Sequence, residues 1–193
     1  MARIDLQRRF VQLKLVYAGP SGSGKTTNLL RIRELFPSPV EHSPLLLSAE
    51  GTRTVFFDAL PIEVGEIQGL KLQLFVYAVP GEEFFVATRA LIMSNADALA
   101  YVVDSQGDHL EHNRDSLAEV ERVLTLNQRS AQPVPIVLQY NKRDLPGATD
   151  IALLEATLNQ KDRPVVEAVA VKGTGVLETL QRLCVEAVKQ LQK

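Results

Sequence analysis

The run Gly19-Pro20-Ser21-Gly22-Ser23-Gly24-Lys25-Thr26 has the full spacing Gly-x-x-x-x-Gly-Lys-[Ser/Thr]. An apolar alternating stretch precedes it and an amphipathic stretch follows, the strand-then-helix setting in which that spacing has a physical mechanism. The glycines let successive backbone N–H groups turn towards one centre and wrap an anion. Lys25 adds a point charge for the outer oxygens of that anion, and the Thr26 hydroxyl is a hard oxygen donor suited to magnesium. The helix that begins at Thr26 and Thr27 adds the positive end of its dipole. The chemistry implied is the binding of a polyphosphate together with its metal ion.

A phosphate loop does not choose a base. The tetrad Asn141-Lys142-Arg143-Asp144 supplies groups that can. An ionised Asp144 only accepts hydrogen bonds, so it can take both the N1–H and the 2-amino group of guanine, and adenine offers neither donor there. Asn141 can bridge loops or meet guanine N7, and the aliphatic stem of Lys142 can cover the base. Guanine nucleotides, GTP and GDP, are therefore the expected ligands.

These groups need elements to carry them. Residues 11–18 alternate and then become apolar, a first strand that runs straight into the glycine-rich loop. Residues 26–36 place Leu29, Ile32 and Phe36 on one helical face. Residues 44–50 and 67–79 predict two more strands, the second with Leu70, Leu72, Leu74, Val76 and Ala78 on one face. A short helix over 87–96 leads to a buried strand ending in Asp104. A long helix over 113–129 precedes a strand over 133–140 that delivers Asn141. Thr149 or Asp150 caps the next helix, residues 164–171 form the last strand, and a terminal helix carries the stripe Val176, Leu180, Leu183 and Ala187. Strands alternating with helices imply a doubly wound α/β fold, a mostly parallel sheet with helices on both faces. Ligands bind such sheets at the carboxyl ends of the strands, and both motifs follow strands. The expectation is one domain over residues 1–193.

The 193 residues are 46% hydrophobic and 23% charged, an ordinary globular balance. A formal net charge of -2 gives no electrostatic footprint for nucleic acid. The single cysteine, Cys184, lies in an apolar helical pattern and reads as core packing in a reducing cytoplasm. No apolar run is long enough for a membrane span. The chain begins Met-Ala and ends Gln-Leu-Gln-Lys, so neither lipidation signal is expected, nor a direct membrane anchor.

With these residues in view, the chain resembles the Ras superfamily and, within it, the MglA-type bacterial small GTPases that control cell polarity. The resemblance runs from residue 13 into the terminal helix. It is carried by GPSGSGKTTNL, TRTVFFDALP, YAVPGEEFF, VVDSQ and QYNKRDLP. It implies a GTP-dependent switch whose loops close around magnesium and the γ-phosphate, with effectors that recognise the GTP form. A Roadblock-type MglB homodimer is the implied activator. By the same resemblance Thr54 is the switch threonine that ligates magnesium, with Thr52 as a nearby competitor. Arg53 matches the family arginine that acts as a finger supplied in cis, where its guanidinium would stabilise charge developing in the transition state.

The chain departs from the general pattern at Ala78-Val79-Pro80-Gly81-Glu82. Gly81 is kept, but Ala78 replaces the usual magnesium-side acid, and Glu82 stands where a glutamine would position water. Asp58 is the nearest carboxylate able to substitute for that acid, a turn role being its alternative, and Asp104 is a further candidate. Glu82 can only accept, and it brings negative charge beside a phosphate. It is either a general base or a weakened glutamine substitute, and the expectation is slow intrinsic hydrolysis. The third base-contacting loop keeps one residue: Val169-Ala170-Val171 aligns with Ser-Ala-Lys, leaving the Ala170 N–H to meet guanine O6 and Val171 beside it. The other function class considered is a nucleotide-gated interaction module with negligible turnover. A phosphate-loop kinase or ATPase is disfavoured by the Asn141–Asp144 tetrad and the lack of a lid or acceptor domain.

Overall fold

A computed structural model describes residues 3–36, 49–50, 53–54, 58–80, 86–127 and 133–191. The element order is β1 (Arg3–Asp5), β2 (Phe10–Ala18), α1 (Lys25–Leu35), β3 (Ala49–Glu50), β4 (Arg53–Thr54), β5 (Asp58–Ile67), β6 (Leu70–Ala78) and α2 (Val86–Met93). It continues with β7 (Ala98–Asp104), α3 (Leu110–Leu126), β8 (Ile136–Asn141), α4 (Ile151–Leu158), β9 (Val165–Glu167) and α5 (Val176–Leu191).

The main sheet has seven strands with the spatial order β5-β6-β2-β7-β8-β9, and β1 pairs antiparallel with β2. From β6 through β9 every pairing is parallel. On the edge, β5 runs against β6, as β1 runs against β2. Helices cover both faces, as the alternation of strands and helices implies. On one face, Leu13, Leu15 and Tyr17 of β2 and Ala98, Ala100 and Val102 of β7 pack under α1 and α5. On the other, Leu99, Tyr101 and Val103 of β7 and Leu138 and Tyr140 of β8 pack under α2, α3 and α4. The period-2 alternation of side chains in each strand thus feeds two cores at once. One polar set is buried with them. Gln139 and Asn28 exchange amide hydrogen bonds of 2.8 and 2.9 Å, and Gln139 also donates to Thr179 Oγ1, which ties α1, β8 and α5 together.

Two elements differ from the sequence expectation. Residues 67–79 are not one strand: Gln68 (φ 51) and Gly69 (φ 76) make a tight turn, and β5 and β6 are the arms of a hairpin. Left-handed backbone at both turn residues matches the right-handed twist of the flanking strands. The last strand is also shorter. Residues Ala170–Lys172 form a single turn of 3-10 helix closed by Gly173 in the left-handed region (φ 78). β1 has no counterpart in the sequence expectation, and the strand expected over 44–50 lies outside the described residues except for its last two. Other expectations are met. The Asp150 carboxylate caps α4 by accepting from the Ala152 N–H at 2.8 Å. The α5 stripe is buried along Val176, Leu180, Leu183 and Ala187. Cys184 packs against the core edge, and burial pushes its thiol up to about 12. Among the described residues no helix is long and apolar enough to cross a membrane.

The packing makes a direct prediction. Leu180 is 1% exposed and Val185, on the same helix, is 47% exposed. Leu180→Ala should destabilise the fold by about 2–5 kcal/mol, and Val185→Ala should shift it by less than about 0.5 kcal/mol. Urea unfolding of both variants checks this; equal midpoints would place α5 off the core.

Candidate functional site

Strands β2, β7 and β8 end in the same direction, so Ala18, Asp104 and Asn141 all finish at one edge of the sheet. The loops that follow are neighbours there. Gly19 leaves β2 at φ 142, and a Cβ at that position would sit 2.3 Å from the Val102 carbonyl oxygen. Gly24, at φ 104, caps α1 with no side chain, and the first turn of α1 holds no acidic residue. The leading N–H groups of that helix are therefore not capped by a side chain of their own cap residue, the arrangement that suits an anion. Around Gly22 (φ 75) an added Cβ would meet nothing within 4 Å, so the loop's tip is open.

Lys25 turns back into its own loop. Its Nζ donates to the carbonyl oxygens of Gly19 (3.0 Å) and Pro20 (2.7 Å). Burial, and then the positive guanidinium of Arg89, push its ammonium down from 10.5 to about 7. Among the described residues no carboxylate pairs with it; desolvation of a cation has this effect, and a negative ligand beside it would reverse it. Arg89, on α2, is itself buried and paired with Glu119 of α3 at 2.8 Å.

Asn141 is the junction of the site. Its Nδ2 donates to the Ser23 carbonyl oxygen at 2.7 Å, and its Oδ1 accepts from the Ala170 N–H at 2.9 Å. One carboxamide therefore joins the phosphate loop, the end of β8 and the turn after β9. Of the two roles considered for Asn141, bridging loops is the one the geometry displays. The same bond engages the Ala170 N–H, the donor that the resemblance assigns to guanine O6. A Cβ at Gly24 would lie 2.3 Å from Asn141 Nδ2, which makes glycine necessary there.

The next residue, Lys142, has left-handed backbone (φ 64), a conformation that costs a non-glycine residue roughly 1–2 kcal/mol. Its Nζ donates to Asp104 Oδ2 at 2.6 Å. The Asp104 carboxylate also accepts from the backbone N–H and the side-chain amide of Gln106. Asp104, named above as an alternative magnesium-side acid, is thus engaged beside the base-reading tetrad. Asp144 pairs with Lys172 Nζ at 2.9 Å, and the hydrogen bond from Lys172 holds its carboxyl below the usual carboxylate range.

These groups enclose a cleft of about 320 Å³. Gly22, Gly24 and Thr27 line it from the phosphate-loop side, Asn141, Lys142 and Asp144 from the tetrad, and Ala170 and Val171 from the turn after β9. Gln106, Leu145 and Val169 line it too; Gln106 and Leu145 fall within stretches that carry the resemblance and Val169 within the loop aligned by it, but none of the three is given a role in the site by the sequence. Other expected residues are placed by their backbone alone. Arg53 and Thr54 form β4, which pairs with β3, and Asp58 opens β5 directly opposite Ala78. Gly81, Glu82 and the competing Thr52 lie outside the described residues.

Comparison with known proteins agrees with this geometry. The family model described as "Arf: ADP-ribosylation factor family" matches residues 4–187. The mutual gliding-motility protein MglA of Myxococcus xanthus is 38% identical over 193 residues, covering 100% of this chain and 99% of that protein. ADP-ribosylation factor-like protein 1 of Saccharomyces cerevisiae is 28% identical over 186 residues, covering 94% of this chain and 90% of that one. The solved structure of the Arl6 BBS3 small GTPase from Trypanosoma brucei, with the bound nucleotide analogue GppNp, superposes with a TM-score of 0.69. It is 26% identical and covers 93% of this chain and 99% of that one. With its glycine-rich loop and its Asn141–Asp144 tetrad meeting at one cleft, the chain belongs to the ADP-ribosylation factor family and is a Ras-like small GTPase, similar over its whole length to MglA.

Proposed function

We propose that this small GTPase is a magnesium-dependent switch of the MglA kind, acting in cell polarity or gliding motility. The observation that carries the proposal is the Asn141 junction, which ties the loop of Lys25 to the turn after β9 beside one cleft lined by Gly22, Gly24 and Asp144. Lys25 and the leading N–H groups of α1 would take the phosphates. Asp144 would take guanine, and the stem of Lys142 and the Val169–Val171 turn would flank the base. Thr26, Thr54 and Asp58 would hold magnesium: two hydroxyls and a carboxylate are hard oxygen donors of the sort this ion prefers. The register that sets Asp58 opposite Ala78 supports its standing in for the acid missing from position 78. The bound ion would neutralise phosphate charge and orient the terminal phosphoryl group.

Arg53 would supply the cationic fork in cis, and Gly81 and Glu82 would close on the γ-phosphate. With an accept-only carboxylate at position 82, turnover would be slow unless a Roadblock-type MglB homodimer ordered Arg53 and the loop of Glu82. Hydrolysis would release the loops and, with them, effectors specific to the GTP form.

Three measurements test these assignments. Asp144→Asn should weaken GTP by roughly ten- to a hundredfold and favour XTP, whose 2-oxygen accepts from the new amide; unchanged preference for GTP over XTP would remove Asp144 from base reading. Lys25 should take up a proton when phosphates restore its charge. Calorimetry of GDP binding at about pH 8, in buffers of differing ionisation enthalpy, should show uptake approaching about one proton. Affinity should also fall as pH rises above about 7, by at most ~10-fold per unit. A binding reaction independent of buffer and pH would show Lys25 to be charged already in the free protein. Arg53→Ala should lower activated single-turnover hydrolysis by ~10³ and alter nucleotide affinity far less; equal losses in both would make Arg53 a ground-state contact instead.

A further inference from the structure

The cleft is lined by Lys142 and Asp144, and each of them pairs with a partner outside that lining rather than with the other. Lys172 meets Asp144 at the surface, with 64% of the Lys172 side chain exposed. Lys142 meets Asp104 at 2.6 Å, and that carboxylate is 1% exposed. The Asp104 partnership is built from several directions. β7 and β8 are in register so that Asp104 lies beside Asn141, the residue before Lys142. Asn113 of α3, fully buried, fixes the Asp104 backbone from both sides: its Oδ1 accepts from the Asp104 N–H at 2.9 Å and its Nδ2 donates to the Asp104 carbonyl oxygen at 2.8 Å. Gln106 donates twice more to the carboxylate and also lines the cleft. The left-handed backbone of Lys142 starts its side chain from a constrained point.

We propose that Asp104 is a positioning residue for nucleotide retention: its buried carboxylate anchors the Lys142 ammonium, so that the Lys142 stem forms a fixed wall of the base cleft and its charge stays off Asp144. The inference rests on the assignment of that cleft to guanine. The physical argument is one of competing partners. An unanchored Lys142 ammonium, leaving from a cleft that also holds Asp144, has that carboxylate as an alternative acceptor. Neutralised by a second lysine, Asp144 accepts less well from guanine. A long flexible stem also loses rotamer freedom when it covers a base, and a stem already fixed by a buried ion pair does not lose it at binding. The exposed Lys172–Asp144 pair is of the weak kind that a ligand can displace. The buried Lys142–Asp104 pair is of the kind whose disruption leaves an uncompensated charge.

The test is release of a fluorescent GDP derivative from the full chain, compared for wild type, Asp104→Asn, Lys142→Met and the double variant, each checked for fold by circular dichroism. Lys142→Met keeps an apolar stem and removes the anchored charge. Each single variant should release GDP roughly tenfold faster or more, and the double variant should release it no faster than the faster single, because both changes remove one anchor. A purely structural Asp104 would instead lower the melting temperature and leave release at room temperature near wild type. A folded Asp104→Asn protein releasing GDP within about twofold of wild type, or a double variant whose acceleration is the product of the two singles, overturns the proposal. Should Asp104→Asn fail to fold, Lys142→Met decides alone, and wild-type release from it is the overturning result. The Asp144→Asn comparison of GTP with XTP keeps the two ideas apart. If that variant turns to XTP and Asp104→Asn releases GDP normally, the anchor is wrong and the base assignment stands. If Asp144→Asn keeps its preference for GTP, the base assignment itself falls.

Discussion

The carboxamide of Asn141 is the constraint on which the rest of the site depends. Its two hydrogen bonds, to the Ser23 carbonyl oxygen and from the Ala170 N–H, span three loops that are far apart in the chain. Each loop alone is a flexible connection. Bound through one planar group, they become a single surface at the end of the sheet. The geometry is exacting on both sides, since a Cβ at Gly24 would collide with the same amide. The amide of Asn141 therefore has its place only because position 24 is a glycine, apart from any role either residue has with a nucleotide. Behind them the two-faced core makes the strand ends rigid, and the Asn28–Gln139–Thr179 bonds fix the helices that flank the loops.

Phosphate and base impose different demands on the protein, and the structure answers them with different parts. A polyphosphate needs backbone N–H groups and a positive dipole, which a helix start and a few glycines supply locally. A base needs a shaped slot and a small number of directed polar atoms, which no single segment can supply. Here the slot is assembled from the ends of β8 and β9 and from the stretch after β7. Lys25 shows the local solution. In its own loop it is held by two carbonyl oxygens and kept from water, with its ammonium pushed down to about 7.

How far the sequence discloses this follows from the same distinction. The phosphate loop and the tetrad are contiguous, so residue type and spacing reveal them, and strand periodicity places both at one sheet edge. The α5 stripe and the Asp150 cap are local patterns and are legible for the same reason. The β5–β6 hairpin is not, because apolar alternation continues through Gln68 and Gly69, and a two-residue turn interrupts it without a visible break. The roles of Gln106, Leu145 and Val169 are hidden for another reason: they line one cleft because separate strands end beside one another. The partner of Lys142 is the clearest case. As a lone acid at a strand end, Asp104 reads as one more metal candidate; only the register of β7 with β8 assigns it to a lysine 38 positions away.

The half-buried Cys184 on α5 has a practical consequence. With its thiol pushed up to about 12 by its surroundings, almost none of it is thiolate at neutral pH, and the thiolate is the form that reacts. The chain contains no other cysteine. A cysteine introduced on an exposed surface would therefore react with maleimide dyes far faster than the native one. Site-specific fluorophores or spin labels can be attached without first removing Cys184 from its place beside the core.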